Sequence, residues 1–304
     1  CDKLNIPLRS IDLTKEYWDK VFKVFLKECE NGRTPNPDII CNREIKFRAF
    51  LDYATNLGAN KIATGHYSKI KIQNGLHHLL RGEDKTKDQS YFLYRLDQSQ
   101  ISKSIFPLEK VNKNNVRKIA DNLGFLNYDK KDSTGICFIG ERNFRGFLKK
   151  FIKPKPGNII NNKGKTIGKH EGLPFYTLGQ RQGLGIGGGH GIKEAPWYVS
   201  DKIIPSNELV VVQGHDHPDL YHNQLIAKNI SWVTGHPPSR NKKLTAKIRY
   251  RGKDSGCNLI LDTNSILVNF DLPMFAIAPG QSVVFYENEY CLGGGIIESR
   301  SNIN

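Results

Sequence analysis

The sequence predicts a parallel α/β domain, then a short central region, then an all-β C-terminal domain. Three observations point there. Helix and strand periods alternate over the first 140 or so residues. Glycine and proline then crowd a stretch that runs to about residue 202. Beyond it, short β-type runs recur between turn residues. A chain of 304 residues is also too long for one ordinary core. The expected domains are 1–142, 143–202 and 203–304.

Tyr17 to Cys29 carries Trp18, Val21, Phe22, Phe25 and Leu26 at helical spacing, and Asn31-Gly32 ends the run. Glu44 to Leu57 repeats the pattern with Ile45, Phe47, Phe50, Leu51 and Ala54, closing at Gly58. Lys61 to Thr64 reads as a short buried strand leading into Gly65-His66-Tyr67. Asn114 to Leu123 is another amphipathic helix. Such alternation suggests a parallel sheet, whose ligands gather at the carboxyl ends of strands, where Gly65 and His66 would sit. Phe144 to Phe151 is helix-like and is followed by Pro154 and Pro156. The later runs are Glu208–Val212, Leu225–Val233, Leu244–Tyr250, Cys257–Leu261, Ile266–Phe270, Ser282–Tyr286 and Gly295–Glu298. Seven short strands at this spacing suit a small barrel or a sandwich.

Lysine and arginine number 45 against 30 acidic residues, a formal charge of +15. That surplus favours a polyanionic partner, because phosphate binding releases counterions. No apolar run approaches the roughly 20 residues that span a bilayer, so no membrane is expected. Six scattered cysteines without C-x-x-C suit a reducing, cytoplasmic setting. His215-x-His217 matches no zinc spacing, and no structural metal is expected.

Thr34-Pro35-Asn36-Pro37-Asp38-Ile39-Ile40-Cys41-Asn42 joins two helical runs. Its prolines stiffen the backbone between Asp38 and Cys41. Asn42 is the expected cap of the second helix, placing Cys41 at a helix N-terminus near Arg43 and Lys46, where a thiolate is favoured. Asp38 is then a candidate acid or base. The bland alternative is a loop with a buried thiol. Lys130 to Phe138 leads to a second candidate, Cys137. Two such cysteines brought together act in sequence, one holding sulfur and one resolving it. Lys87-Asp88-Gln89-Ser90-Tyr91-Phe92 mixes a cation, an amide and two aromatics, as base- and phosphate-binding loops do; a capped helix start competes equally. Gly183 to Gly188 matches G-x-G-x-x-G, but no strand precedes it and no helix follows, so it is read as a flexible loop along RNA. Lys247, Arg249 and Arg251 alternate on an expected strand and would share a phosphate-facing side. Gln281 lies in the Pro279-Gly280 turn, where its amide could read a base edge.

Taken together, these strings resemble the bacterial tRNA-specific 2-thiouridylases. The likeness covers essentially the whole chain. It rests on Thr34–Asn42, Ala63–Tyr67, Lys87–Leu93, Asp132–Gly140, Thr177–Gly188, Pro279–Ser282 and Cys291–Ile297. The resemblance implies an adenine-nucleotide-hydrolase-like α/β domain, a small central domain and a C-terminal β-barrel. It implies ATP-dependent 2-thiolation of the wobble uridine in tRNAs for Lys, Glu and Gln, with magnesium accompanying ATP. Cys137 would carry a persulfide, Cys41 would release its sulfur, and the two would close as a disulfide. Asp38 would be the acid/base, and Asn36, Pro37 and Asp38 would hold the flipped uridine. Gly65 would lie against ATP and His66 beside the tRNA. Lys87, Asp88, Gln89, Arg249, Tyr250 and Gln281 would contact tRNA. The sulfur would come from a cysteine desulfurase or a persulfide relay protein. The family's Ser-Gly-Gly-x-Asp-Ser string for ATP phosphates is not in the sequence. The chain by itself is therefore expected to lack ATP-dependent activity. A non-catalytic tRNA-binding remnant is the alternative, and a thiol–disulfide redox protein a more distant one.

Overall fold

A computed structural model describes residues 1–130, 144–187, 195–239 and 242–303. α1 (Thr14–Tyr17) passes through a π-helical stretch, Trp18–Phe22, into α2 (Lys23–Glu30). Its apolar stripe buries Tyr17, Val21, Phe22, Phe25 and Cys29. α3 (Pro37–Cys41) passes in the same way through Asn42–Ala49 into α4 (Phe50–Asn56). The second helical run therefore begins at Pro37 rather than at Glu44.

The α/β part continues with β1 (Ile62–Ala63), the hairpin β2 (Ser68–Gln73) and β3 (Leu76–Arg81), α5 (Ser90–Leu93), α6 (Gln98–Ser102), β4 (Ser104–Ile105) and α7 (Lys113–Asn122). β1 and β4 pair in parallel, Ile62 opposite Ser104. α6 is fixed by a capping box, Asp97 accepting from Gln100 N while Gln100 Oε1 accepts from Asp97 N.

The central part holds α8 (Phe144–Leu148), β5 (Gly157–Asn161), β6 (Thr166–His170), β7 (Trp197–Ile203) and β8 (Glu208–Gln213). Its sheet runs β6-β5-β8-β7, with β5 and β8 parallel. Glu208–Gln213, grouped by sequence with the C-terminal strands, thus belongs to the central sheet. A strand's periodicity shows that it exists and says nothing of its partner.

The C-terminal part is β9 (Tyr221–Trp232), β10 (Leu244–Lys247), β11 (Ser255–Leu261), β12 (Ser265–Phe275), β13 (Ser282–Glu287) and β14 (Tyr290–Ser301). The order β13-β10-β11-β12-β9-β14 closes through a β13–β14 pairing, which makes a six-stranded barrel. The barrel resolves the choice left between barrel and sandwich. β14 also pairs with β3, Tyr290 opposite Leu80 and Cys291 opposite Leu79, so the α/β hairpin extends the barrel's sheet.

Three cores follow. One joins Val21, Phe22 and Phe25 to Ile159, Val199 and Val211 of the central sheet and to Ala276 and Ala278. Another packs Phe47, Leu51, Ile62, Tyr91 and Tyr94 against Val284, Tyr286 and Cys291. The third fills the barrel with Leu225, Ala227, Val268, Val283, Phe285 and Ile297. The first two are shared between parts, so no part owns its whole apolar surface. No helix among the described residues is long and apolar enough to cross a membrane.

Gly294 of β14 lies where the barrel meets the second core. A Cβ there would run into Val283 O and lie 3.0 Å from the Tyr94 ring. Gly294→Ala is expected to cost about 1–3 kcal/mol through overpacking. Gly187→Ala, whose Cβ would meet nothing within 4 Å, serves as the neutral control. Urea unfolding checks both: the midpoint of the first should fall and that of the second should not.

Candidate active site

Asn36, rather than Asn42, caps the helix that carries Asp38 and Cys41. Its side chain accepts from Asp38 N at 3.1 Å, and Pro37 follows at the first helical position, where its missing N–H costs nothing. Asn42 is buried inside the helical run and donates through Nδ2 to Phe92 O at 3.1 Å. Asp38 and Cys41 are three residues apart, so they share one helix face. Asp38, in the first turn, receives most of the helix-terminus field, and Cys41, a turn further in, receives less. Cys41 is 4% exposed. Arg43 is engaged with Glu44 at 3.4 Å. Cys137 lies outside the described residues, as does its expected pairing with Cys41.

The loop before this helix is held by the barrel. Thr34 N donates to Pro279 O at 2.9 Å, and Gln281 Nε2 donates to Thr34 O at 2.7 Å. Gly280 between them has φ +92°, and a Cβ there would come within 2.8 Å of Thr34 N. Gln281 therefore directs its amide nitrogen to the chain's own backbone rather than to a base edge. Sequence reading missed Arg33 altogether. Its guanidinium reaches Glu28 at 2.8 Å, Glu298 at 2.7 Å and Ile297 O at 3.0 Å.

Thr64, Gly65 and His66 follow β1, as expected for the carboxyl end of a strand. Gly65 has room beside it, with Leu108 Cδ1 at 4.0 Å the nearest atom to an added Cβ. His66 is packed against Phe47 and Phe106 and pairs with Thr64 Oγ1 through Nδ1 at 2.9 Å. Burial, helped by nearby Lys46, pulls its pKa down to about 3, so the ring is neutral.

The Lys87-Asp88-Gln89 string builds loops. Asp88 is buried and accepts from Gly82 N, Ser90 N and Ser90 Oγ, with Arg81 3.8 Å away. Gln89 and Tyr67 exchange two hydrogen bonds, at 2.8 and 3.0 Å, which joins this loop to the one after β1. Lys87 is half-buried. Tyr250 stacks at a tilt on Phe92, with ring centroids 4.4 Å apart. β10 ends at Lys247, so Lys247, Arg249 and Arg251 do not share a strand face. Arg249 instead donates through Nη2 to Leu178 O and Ala276 O, at 2.8 and 2.9 Å.

Cys29, Cys257 and Cys291 are of a different kind. Burial pushes the first two thiols up to about 12 and the third higher still, which makes them inert filler. Among the described residues, no three His, Cys, Asp or Glu side chains converge on a metal position.

Three family models match the chain. The tRNA methyl transferase HUP domain covers residues 1–141, the tRNA methyl transferase PRC-barrel domain 145–213, and the aminomethyltransferase β-barrel domain 222–297. The class is thus a HUP-type α/β protein with two appended β domains. Among curated relatives, the tRNA-specific 2-thiouridylase MnmA of Hydrogenovibrio crunogenus is 54% identical over 302 residues, 99% of this chain and 80% of the relative. Those of Proteus mirabilis and Nitrosomonas eutropha are also 54% identical, over 99% and 97% of this chain and 82% of each relative. The chain belongs to the tRNA-specific 2-thiouridylase family.

The neutral His66 has a measurable consequence. Its folded pKa lies below the unfolded value, so its share of stability is complete above about pH 6.5 and is lost as the unfolded chain takes up the proton. Stability of the parent relative to His66→Gln should fall by about 1.4 kcal/mol per pH unit between roughly pH 6 and pH 4. Urea unfolding at a series of pH values checks it. Parallel curves for the two proteins would mean that His66 is not held neutral.

Proposed function

We propose that this chain is the body of a cytoplasmic enzyme that converts the wobble uridine of tRNAs for Lys, Glu and Gln to 2-thiouridine. The observation that carries the reading is the one helical turn bearing Asp38 and Cys41, capped by Asn36 and stiffened by Pro37. Family membership and the +15 charge support it. ATP, with magnesium, adenylylates the C2 oxygen of the uracil, the α-phosphorus bonding to that oxygen as pyrophosphate departs, which makes the oxygen part of a leaving group. The Asn36-Pro37-Asp38 edge receives the base, which must leave its stack to be reached. A persulfide on Cys137, loaded by a desulfurase or relay protein, attacks C2 through its terminal sulfur and AMP departs with the oxygen. Asp38 takes the proton of Cys41, and the thiolate attacks Cys137 Sγ. The S–S bond to the transferred sulfur breaks, that sulfur stays on C2, and a Cys41–Cys137 disulfide forms. An external dithiol must reduce this disulfide before the next turnover.

Gly65 is the proposed backbone contact for ATP. His66, Lys87, Asp88, Gln89, Arg249, Tyr250 and Gln281 belong to the proposed tRNA-side surface. Buried His66 and Asp88 act there by shaping loops, and the half-buried Lys87, Gln89, Arg249, Tyr250 and Gln281 are the proposed direct contacts.

The test uses the complete gene product with unmodified tRNA, ATP and a persulfide donor, and measures 2-thiouridine by mass spectrometry of digested tRNA. Cys41→Ser and Cys137→Ser should each abolish product. Asp38→Asn should slow it by about 100-fold or more, the ordinary worth of a general acid or base. Full activity in both cysteine variants would overturn the assigned chemistry.

A further inference from the structure

The Asn36-Pro37-Asp38 turn sits at the end of a loop, Gly32–Pro35, whose start is tied to α2 by Gly32 N to Cys29 O and Arg33 N to Glu28 O. Its further partners come from the other two parts of the molecule. Lys202 of β7 donates to Gly32 O at 2.9 Å. Pro279 and Gln281 hold both backbone groups of Thr34. Arg33 makes the densest of these ties. Its Nε faces Glu28 at the end of α2, its Nη1 meets Glu298 of β14 at 2.7 Å, and its Nη2 donates to Ile297 O at 3.0 Å. Glu298 is held as a carboxylate, chiefly by the Arg33 hydrogen bond, and Lys228 stands 3.6 Å from its other oxygen. Two acceptors on β14 are met by the two terminal nitrogens of one planar fork, while Nε pairs with Glu28 by charge alone, an arrangement that an ammonium cannot copy.

We propose that Arg33, with Glu298 as its anchor, is a positioning residue for the thiolation reaction: it fixes the Asn36-Pro37-Asp38 turn and Cys41 relative to the barrel. Arg33 touches neither base nor sulfur in this role. It acts through the loop, converting the rigidity of β14 into a fixed placement of Asp38 three peptide bonds beyond Pro35. A lysine at 33 keeps the charge and loses the fork. The pair is partly exposed, with side-chain exposures of 20% and 37%, so its worth to global stability is small. Its effect is then expected in the rate of the chemical steps rather than in folding.

This inference rests on the proposed function, and two readouts separate their failures. In the complete gene product, Arg33→Lys and Glu298→Gln should lower kcat by about tenfold or more, the scale on which sub-ångström to ångström misplacement acts, with KM for tRNA within about threefold. The second readout needs no thiolation. Under reducing conditions, iodoacetamide labelling of each cysteine is followed by peptide mass spectrometry. Release of the loop should speed labelling of Cys41 several-fold in both single variants, while buried Cys257 and Cys291 stay at parent rates. Equal acceleration at all three would mean loosening of the whole fold and would overturn the positioning role. Parent-like kcat and parent-like Cys41 labelling would overturn it as well. If the parent itself makes no 2-thiouridine, the proposed function fails, and the labelling pattern still decides whether Arg33 holds the turn.

Discussion

β14 is hydrogen-bonded to three other strands, and most of the molecule's architecture depends on that. Its first residues pair with β3 of the α/β part. From Gly293 onward it pairs with β9, and along the other edge with β13, which closes the barrel. Backbones come close enough at Gly293, Gly294 and Gly295 that side chains there would collide with neighbouring carbonyls. The same strand presents Ile297 and Glu298 to Arg33. One strand therefore closes a barrel, captures a hairpin and steadies a loop. Domains joined this way are not free to swing as linked beads do.

A second tie reinforces the first. Arg81, at the end of β3, is buried, yet its charge is met on every side. Asp254 lies 2.9 Å from Nη2, Asn288 O accepts from Nε at 3.4 Å, and the guanidinium covers the Tyr286 ring at 3.6 Å. Asp88 completes the cluster. Removing one member of such a group leaves another charge buried and unpaired, which costs more than the pair is worth. This is why Asp88, which reads in sequence as part of an RNA-facing string, is found holding loops together.

How much of this was legible varied with how local the cause is. The helices over 17–29 and 44–57 declare themselves because their apolar residues recur at the helical period. The start of the second run is ambiguous in the sequence because Asn42 and Asn36 are both good caps. Pro37 decides between them, since a proline suits the first turn and not a later one. The β2–β3 hairpin carries a sound signal in Asn74-Gly75, both with positive φ, and in the alternation of Ile70 and Ile72 with Lys69, Lys71 and Gln73 before it, so this hairpin too is written locally. Gly65 and His66 fell at the end of a strand as expected, and only packing could tell that His66 turns inward. Arg33 and Glu298 lie 265 positions apart, and nothing in either neighbourhood names the other.

That separation bears on how the protein is made. The loop bearing Asn36, Pro37 and Asp38 is synthesised more than 200 residues before the barrel groups that fix it, at Pro279, Gln281, Ile297 and Glu298. Contacts of such long sequence separation form late, after their loop-closure entropy has been met. Until the barrel strands are made, the nascent chain holds the Asp38–Cys41 turn without the barrel groups that tie its loop down.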